Sequence, residues 1–177
     1  KIIAQEQHTA TTQSEMESLT RIRGLNPDVL YISSTPAPTA LIVKNATDLG
    51  MHPGVTIASG HAGFTSELIN IAGSRVAEGV YGVFPSVSWG EDVPGMAKLV
   101  EYAEKNHPAH VGNMDYITAW AQSLIMAKIV ENALNAAGYD VLAKGGKEAW
   151  DAIIEHGIKK MNYDVEGLQG PVIYSEG

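Results

Sequence analysis

The strongest constraint on this chain is the run "DVLYIS" at 28–33, which recurs in kind at "GVTIAS" (54–59) and "EGVYGVFPSV" (78–87). "DVLYIS" is the short apolar run of a buried parallel strand. The other two read as further strands, and Pro85 must kink or end the last. Helical stretches stand between them. In "TTQSEMESLTRIRGLNP", Met16, Leu19 and Ile22 recur every three residues, Thr12 and Glu15 have capping-box spacing, and Pro27 closes the stretch. "ALIVKNATDLG" runs to Gly50, a natural C-terminal cap. "SELINIAG" follows the second strand. With "KIIAQEQ" at 1–7 read as an opening strand, residues 1–87 alternate strand and helix. That is the α/β pattern of a doubly wound parallel sheet.

Beyond Trp89 the texture changes. "GMAKLVEYAEKN" is helical, and "DYITAWAQSLIMAKIVENALNAAG" predicts a long helix ended by Gly138, with Ile117, Trp120, Leu124 and Ile125 on one face. "KEAWDAIIEHGIKKM" predicts another helix, and "GLQGPVIYS" a return to strand. Trp120, Trp150 and Tyr102 are expected in the core, while Phe84 and Trp89 fit either core or cleft. Repeats and low-complexity tracts are absent from the sequence.

The 177 residues carry a net charge of -8 and no basic cluster, which argues against nucleic acid as a partner. With no cysteine there are neither disulfides nor thiolate zinc sites, but this leaves the compartment open. No apolar run approaches the ~18 residues of a membrane helix. The chain opens and closes on strand-like segments without an initiating Met, so it is expected to be a fragment. A missing export signal then carries no information.

His61, in "ASGHAGFTSELINIAG", is the sharpest candidate for chemistry. A metal role would need partners, and His8, His52, His107, His110 and His156 show neither HxxxH nor HExxH spacing, so no metal or other cofactor is expected. A catalytic role would pair His61 with a serine such as Ser59 or Ser66, yet no G-x-S-x-G elbow exists. Gly60 and Gly63 do not complete a dinucleotide fingerprint. An α/β-hydrolase-like enzyme using His61 therefore stands as the alternative only. "YISSTPAPT" is a strand end entering a helix through hydroxyls. Ser34, Thr35 and the following N–H groups suit a carboxylate or another polar ligand group, and they equally suit an ordinary capped helix. Two such turns after two sheet strands gain weight together, because ligands of open α/β sheets bind at the carboxyl ends of strands.

The ordered set "NPDVLYIS", the helix ending in "DLG", "NIAG…AEGVYG" with its following Pro, the Ala-rich aromatic helix and the terminal "GLQGPVIYSEG" resembles the second lobe of type I periplasmic binding proteins. Within them it is similar to the branched-chain amino-acid branch of ABC-transporter substrate-binding proteins. The likeness spans almost the whole chain. It implies a non-catalytic two-lobed receptor of about twice this length, closing on a small-molecule ligand at a hinge. Such a receptor delivers its solute to ABC permease subunits and is periplasmic, or an extracellular lipoprotein. A cytoplasmic ligand-sensing regulator on the same fold is a further alternative. By the resemblance, residues 1–86 belong to the second lobe and 87–166 to a helical segment returning to the first. Residues 167–177 begin the last crossover strand. A strand and helix of the second lobe are expected to precede Lys1. Dimers, or association with a complementary fragment, are the expected result of the truncation.

The resemblance also places ligand-binding residues at Ser33, Ser34, Thr35 and Pro36 and at Ser59, Gly60, His61 and Ala62. His61 stands where amino-acid-binding members carry an acidic residue for the ligand's α-ammonium. Imidazole offers no permanent negative charge; it donates to a carboxylate or stacks on a ring. This departure puts the branched-chain amino acids in question. It favours a small organic acid, amide or aromatic compound without a free α-amino group.

Overall fold

The computed structural model describes residues 1–174, so the last part of the expected strand 167–177, Ser175 to Gly177, lies outside the described residues. The chain divides into two compact units, Lys1–Phe84 and Pro85–Gly177.

In the first unit, α1 (Met16–Arg23), β1 (Val29–Ile32), α2 (Pro36–Asp48), β2 (Thr56–Ser59), α3 (Ser66–Ala72), α4 (Ser74–Ala77) and β3 (Tyr81–Gly82) follow in order. The sheet is parallel in the order β1-β2-β3, with Leu30 opposite Ile57, Ile32 opposite Ser59 and Ala58 opposite Tyr81. Side chains alternate across a strand, so Ile32 and Ile57 share a face. That face packs with Leu19, Ala40, Ile42, Val43, Ala46, Met51, Leu68 and Ala72 into one core. On the opposite face Val29, Tyr31 and Tyr81 are exposed. The α/β class with a parallel sheet is as expected.

The end of α2 shows why Gly50 stands there. Its φ of +70° is the left-handed conformation glycine adopts without penalty. The Gly50 N–H donates to Thr47 C=O at 2.9 Å and the Met51 N–H to Ala46 C=O at 2.9 Å. These two bonds satisfy carbonyls that the helix leaves over.

Several expectations are corrected. Residues 1–7 form no strand. They make no ladder with β1, and are held instead by Glu6, whose carboxylate accepts from Arg21 Nε at 3.1 Å and Nη2 at 2.9 Å. A groove of about 800 Å³ lies between Lys1–His8, α1 and β1. The Thr12–Glu15 capping box does not form. Thr12 Oγ1 accepts the Thr9 N–H at 3.1 Å, and the Glu15 N–H donates to Asn45 Oδ1 at 2.8 Å. Within the α1 stripe Leu19 is buried, but Met16 is exposed. The helix after β1 begins four residues earlier than Ala40, at Pro36, whose fixed φ suits the first helical position. The third strand is only Tyr81–Gly82.

The second unit contains α5 (Met96–Asn106), a 3₁₀ turn (Pro108–His110), α6 (Met114–Ala137), α7 (Tyr139–Lys144), α8 (Gly146–Ala152) running into a π-helical turn (Ile153–Ile158), and the antiparallel pair β4 (Asn162–Tyr163) and β5 (Val172–Ile173). Asn113 caps α6: its Oδ1 accepts the Asp115 N–H at 2.8 Å and the Tyr116 N–H at 3.3 Å. Gly138, at φ +86°, ends α6 as expected. Met96, Leu99, Ile117, Ala121, Val165 and Leu168 form the core, with Trp120, Leu124 and Ile125 against it. Trp150, expected in the core, is 63% exposed, and Tyr102 is 45% exposed. The single helix expected over 147–161 instead changes to π geometry after Ala152. Gly157 there lies against Ile129 of α6, too close for any side chain. α7 and β4 carry no sequence signal strong enough to predict them.

Candidate functional site

Parallel strands end on the same side of a sheet, so the turns after β1 and β2 and the exit of β3 gather at one edge of the first unit. The β2 turn is short. Gly63 N–H donates to Gly60 C=O at 3.0 Å and Phe64 N–H to the same carbonyl at 3.1 Å. Gly60 N–H continues the ladder to Ile32 C=O at 3.2 Å, and Val83 N–H reaches Ser59 C=O at 3.3 Å. α3 then starts at once, its N-cap Thr65 accepting the Glu67 N–H at 3.2 Å.

On this turn His61 is exposed, and its ring meets Phe84 at 5.0 Å between centroids with planes at 66°. That is the edge-to-face arrangement aromatic rings prefer. Phe84 is thereby a wall of this edge, a role that periodicity left undecided. The Phe64 ring covers Gly82 of β3 so closely that glycine alone fits there.

Ser33, Thr35, Gly60 and Ala62 lie at or near the surface of the same edge, with Ser34 and Pro36 half-buried. Ser59 is different: it is 1% exposed, and its hydroxyl donates to the Gly60 carbonyl at 3.2 Å rather than to His61. The structure therefore joins no serine nucleophile to an imidazole at this turn.

At the N-terminus of α2, Thr35 makes no side-chain cap. Of residues 36–38 only Ala37 carries a backbone N–H, because Pro36 and Pro38 have none. The Thr39 N–H is taken by Thr35 C=O at 3.1 Å. Anion binding by helix amides is correspondingly thin here, and the hydroxyls of Ser33, Ser34 and Thr35 are the available donors.

Sequence reasoning missed Thr39. It is fully buried, and its Oγ1 has no hydrogen-bond partner. The one available signal was a polar residue on the apolar stripe Ala40, Ile42, Val43, Ala46 of α2.

Electrostatically the edge is plain. Residues 33–36 and 59–64 contain no carboxylate and no lysine or arginine. Of the other histidines, His52 donates from Nε2 to the Glu78 carbonyl at 2.6 Å. His107 and His110 pack among Tyr102 and Tyr116. Among the described residues no group of three or more His, Cys, Asp or Glu gathers to hold a metal, and no helix is long and apolar enough to cross a membrane.

Comparison with known proteins bears on this edge through the fold. A branched-chain amino acid ABC transporter protein from Thermus thermophilus, with bound valine, superposes with a TM-score of 0.76 at 17% identity, over 96% of this chain and 44% of that one. A solute-binding protein from R. palustris in complex with 4-hydroxybenzoate gives 0.67 at 22% identity, over 96% and 42%. An ABC-transporter substrate-binding protein from Aeropyrum pernix gives 0.73 at 16%, over 90% and 40%. The chain thus spans less than half the length of each. No match was found among curated proteins. A family model described as periplasmic binding protein matches residues 1–176. With that match along nearly its whole length and the parallel-sheet fold of its structural neighbours, the chain belongs to the periplasmic binding protein family.

Proposed function

We propose that this chain is part of the solute-binding component of an ABC transporter, working outside the cytoplasm, in the periplasm or as a lipoprotein. It forms the sheet of the second lobe over residues 1–86, a helical segment returning to the first lobe over 87–166, and the start of the last crossover from 167. The solute is a small organic acid, amide or aromatic compound without a free α-amino group, delivered to permease subunits. The observation that carries this reading is the exposed His61 ring set edge-on against Phe84, at a strand-end edge whose two turns contain no carboxylate. An α-ammonium group finds no counter-charge in those turns, whereas a carboxylate or a ring finds a donor and an aromatic wall. The R. palustris neighbour with 4-hydroxybenzoate supports the fit of such solutes to this fold.

Calorimetry on the two-lobed receptor tests it. 4-Hydroxybenzoate or a related aromatic acid should bind, and valine should bind much more weakly. Tight valine binding with no uptake of aromatic or aliphatic acids would sink the reading. The chain by itself should bind no small metabolite at submicromolar affinity, since in this reading it supplies the turns of one lobe only.

The groove beside β1 supports association with a complementary segment of the same receptor. β1 is an edge strand of its sheet among the described residues, and the groove beside it leaves that edge open to a further segment. Isolated, the chain should form dimers or larger species. A monomer over a broad concentration range in light scattering counts against this.

A further inference from the structure

Gly63 is buried, yet it has none of the positive φ that accounts for Gly50, Gly73 or Gly79. Its backbone conformation is open to any residue. What excludes a side chain is proximity. A Cβ on Gly63 would stand 2.5 Å from Thr39 Oγ1 and 2.9 Å from the Ser34 carbonyl oxygen, and closer still to Ser59 Oγ. Three oxygens from three segments, the turn after β1, the first turn of α2 and the end of β2, thus converge on one glycine Cα. Gly60 offers a contrast. Its nearest obstacle is Tyr31 Oη at 2.9 Å, the far end of a long side chain that can swing away. At Gly63 the two closest obstacles are buried short side chains with no room to yield, while the Ser34 carbonyl is the most distant of the three and has to give only slightly.

We propose that Gly63 is a positioning residue. Its missing side chain lets the β2 turn seat directly on Ser34, Thr39 and Ser59, and this seating places the His61 ring against Phe84. The turn is only four residues long and is closed by the bond from Gly63 N–H to Gly60 C=O. A displacement at Gly63 is therefore carried to His61 rather than absorbed between them. At this contact α2 carries a buried, unpartnered hydroxyl, ordinarily a destabilising feature. Thr39 packs against the glycine through that oxygen, and the distance between the two candidate ligand turns follows from it. The bearing on solute binding rests on the function proposed above. Ring placement does not, so the two ideas fail separately.

The test reads the ring without any solute, by NMR on this chain. In the parent sequence the His61 ring protons should show through-space contacts to the Phe84 ring and ring-current shifts from it. Gly63→Ala should abolish those contacts and move the His61 signals, while signals from Ile57 and Leu68 in the core stay dispersed. Adding Thr39→Ala and Ser59→Ala removes the two side-chain oxygens in the way and should restore the contact. Thr39→Ala with Ser59→Ala alone serves as the folding control. An unchanged His61–Phe84 contact in Gly63→Ala overturns the proposal. So does a folded triple variant that fails to recover the contact. Should Gly63→Ala not fold, the triple variant decides: recovery of fold and contact supports the proposal, and loss of fold where the control folds overturns it.

Discussion

His61 and Phe84 stand 5.0 Å apart, ring edge to ring face, at the carboxyl end of the sheet. Such pairs contribute about 0.5–1.5 kcal/mol beyond their buried area. This geometry leaves the imidazole N–H free to donate, since among the described residues no hydrogen bond engages the ring. For the proposed two-lobed receptor, His61→Ala should weaken binding of an aromatic acid by about 1–3 kcal/mol, the range of a lost buried or charge-assisted hydrogen bond. The lobe should stay folded. His61→Glu should abolish acid binding, because two negative charges would meet in a closed cleft, and should recover weak affinity for amino acids. Calorimetry on the three proteins checks both. If His61→Ala binds as tightly as the parent, His61 is a surface residue and the assignment of solute class goes with it.

The amino-terminal segment should respond to acid. Arg21, by hydrogen bonding first and by its charge second, holds the Glu6 carboxyl below its usual value of 4.5. A carboxylate with a depressed value in the folded state contributes stability that is fully present above its unfolded value and lost as the pH falls through the folded one. The attachment of Lys1–His8 should therefore persist at neutral pH and give way only below the ordinary carboxylate range. Backbone chemical shifts of residues 2–8 against pH read this. Glu6→Gln should show the released shifts at every pH. Both groups are solvent-exposed, so salt should weaken the attachment as well. Release setting in above pH 5 in the parent would contradict this account.

The cap of α6 offers a local test. Asn113 Oδ1 satisfies two amide donors that the first turn of the helix leaves without partners. Asn113→Ala should cost about 1 kcal/mol in urea unfolding, and Asn113→Asp should retain the stability of the parent. A loss equally large in both variants would assign the effect to packing around the turn.

What was legible in the sequence was set by local chemistry. β1 and β2 show as apolar runs, although only one face of each is buried and Val29 and Tyr31 on the other face are exposed, and Gly50 and Gly138 show as helix ends because both need positive φ. The two turns of the candidate edge were legible because each is a polar break after an apolar strand. What was not legible depends on contacts across the fold. Residues 1–7 have strand composition, yet strand structure requires a ladder to a neighbour, and they make none with β1, from which a groove separates them. Thr12 and Glu15 have the spacing of a cap, but Glu15 N–H goes to Asn45, thirty positions away. Gly63 and Thr39 acquire meaning only once β1, α2 and β2 are brought together. Trp150 is apolar in a helix, and no periodic pattern told that it faces water.

Gly157 poses the same question as Gly63 and should answer it differently. It lies in the π-helical turn after α8, again without positive φ, so an Ala there would by itself favour the folded state by about 0.4–1 kcal/mol. Against this stands the contact with α6. A Cβ would come within 2.6 Å of the Ile129 carbonyl oxygen and 2.8 Å of Ile129 Cγ2. Forcing a methyl into a packed interior costs about 1–3 kcal/mol, which outweighs the backbone gain. Gly157→Ala should therefore lower stability by roughly 0.6–2 kcal/mol, the difference of the matching ends of those two ranges. Since the closest atom belongs to the backbone of a long helix, trimming the partner cannot relieve it. Ile129→Ala removes Cγ2 but leaves the carbonyl, and in the double variant the two losses should add rather than cancel. Chemical unfolding of the single and double variants measures this coupling. Full rescue by Ile129→Ala would show that the side chain, not the approach of α6 and the π turn, sets the need for glycine at 157.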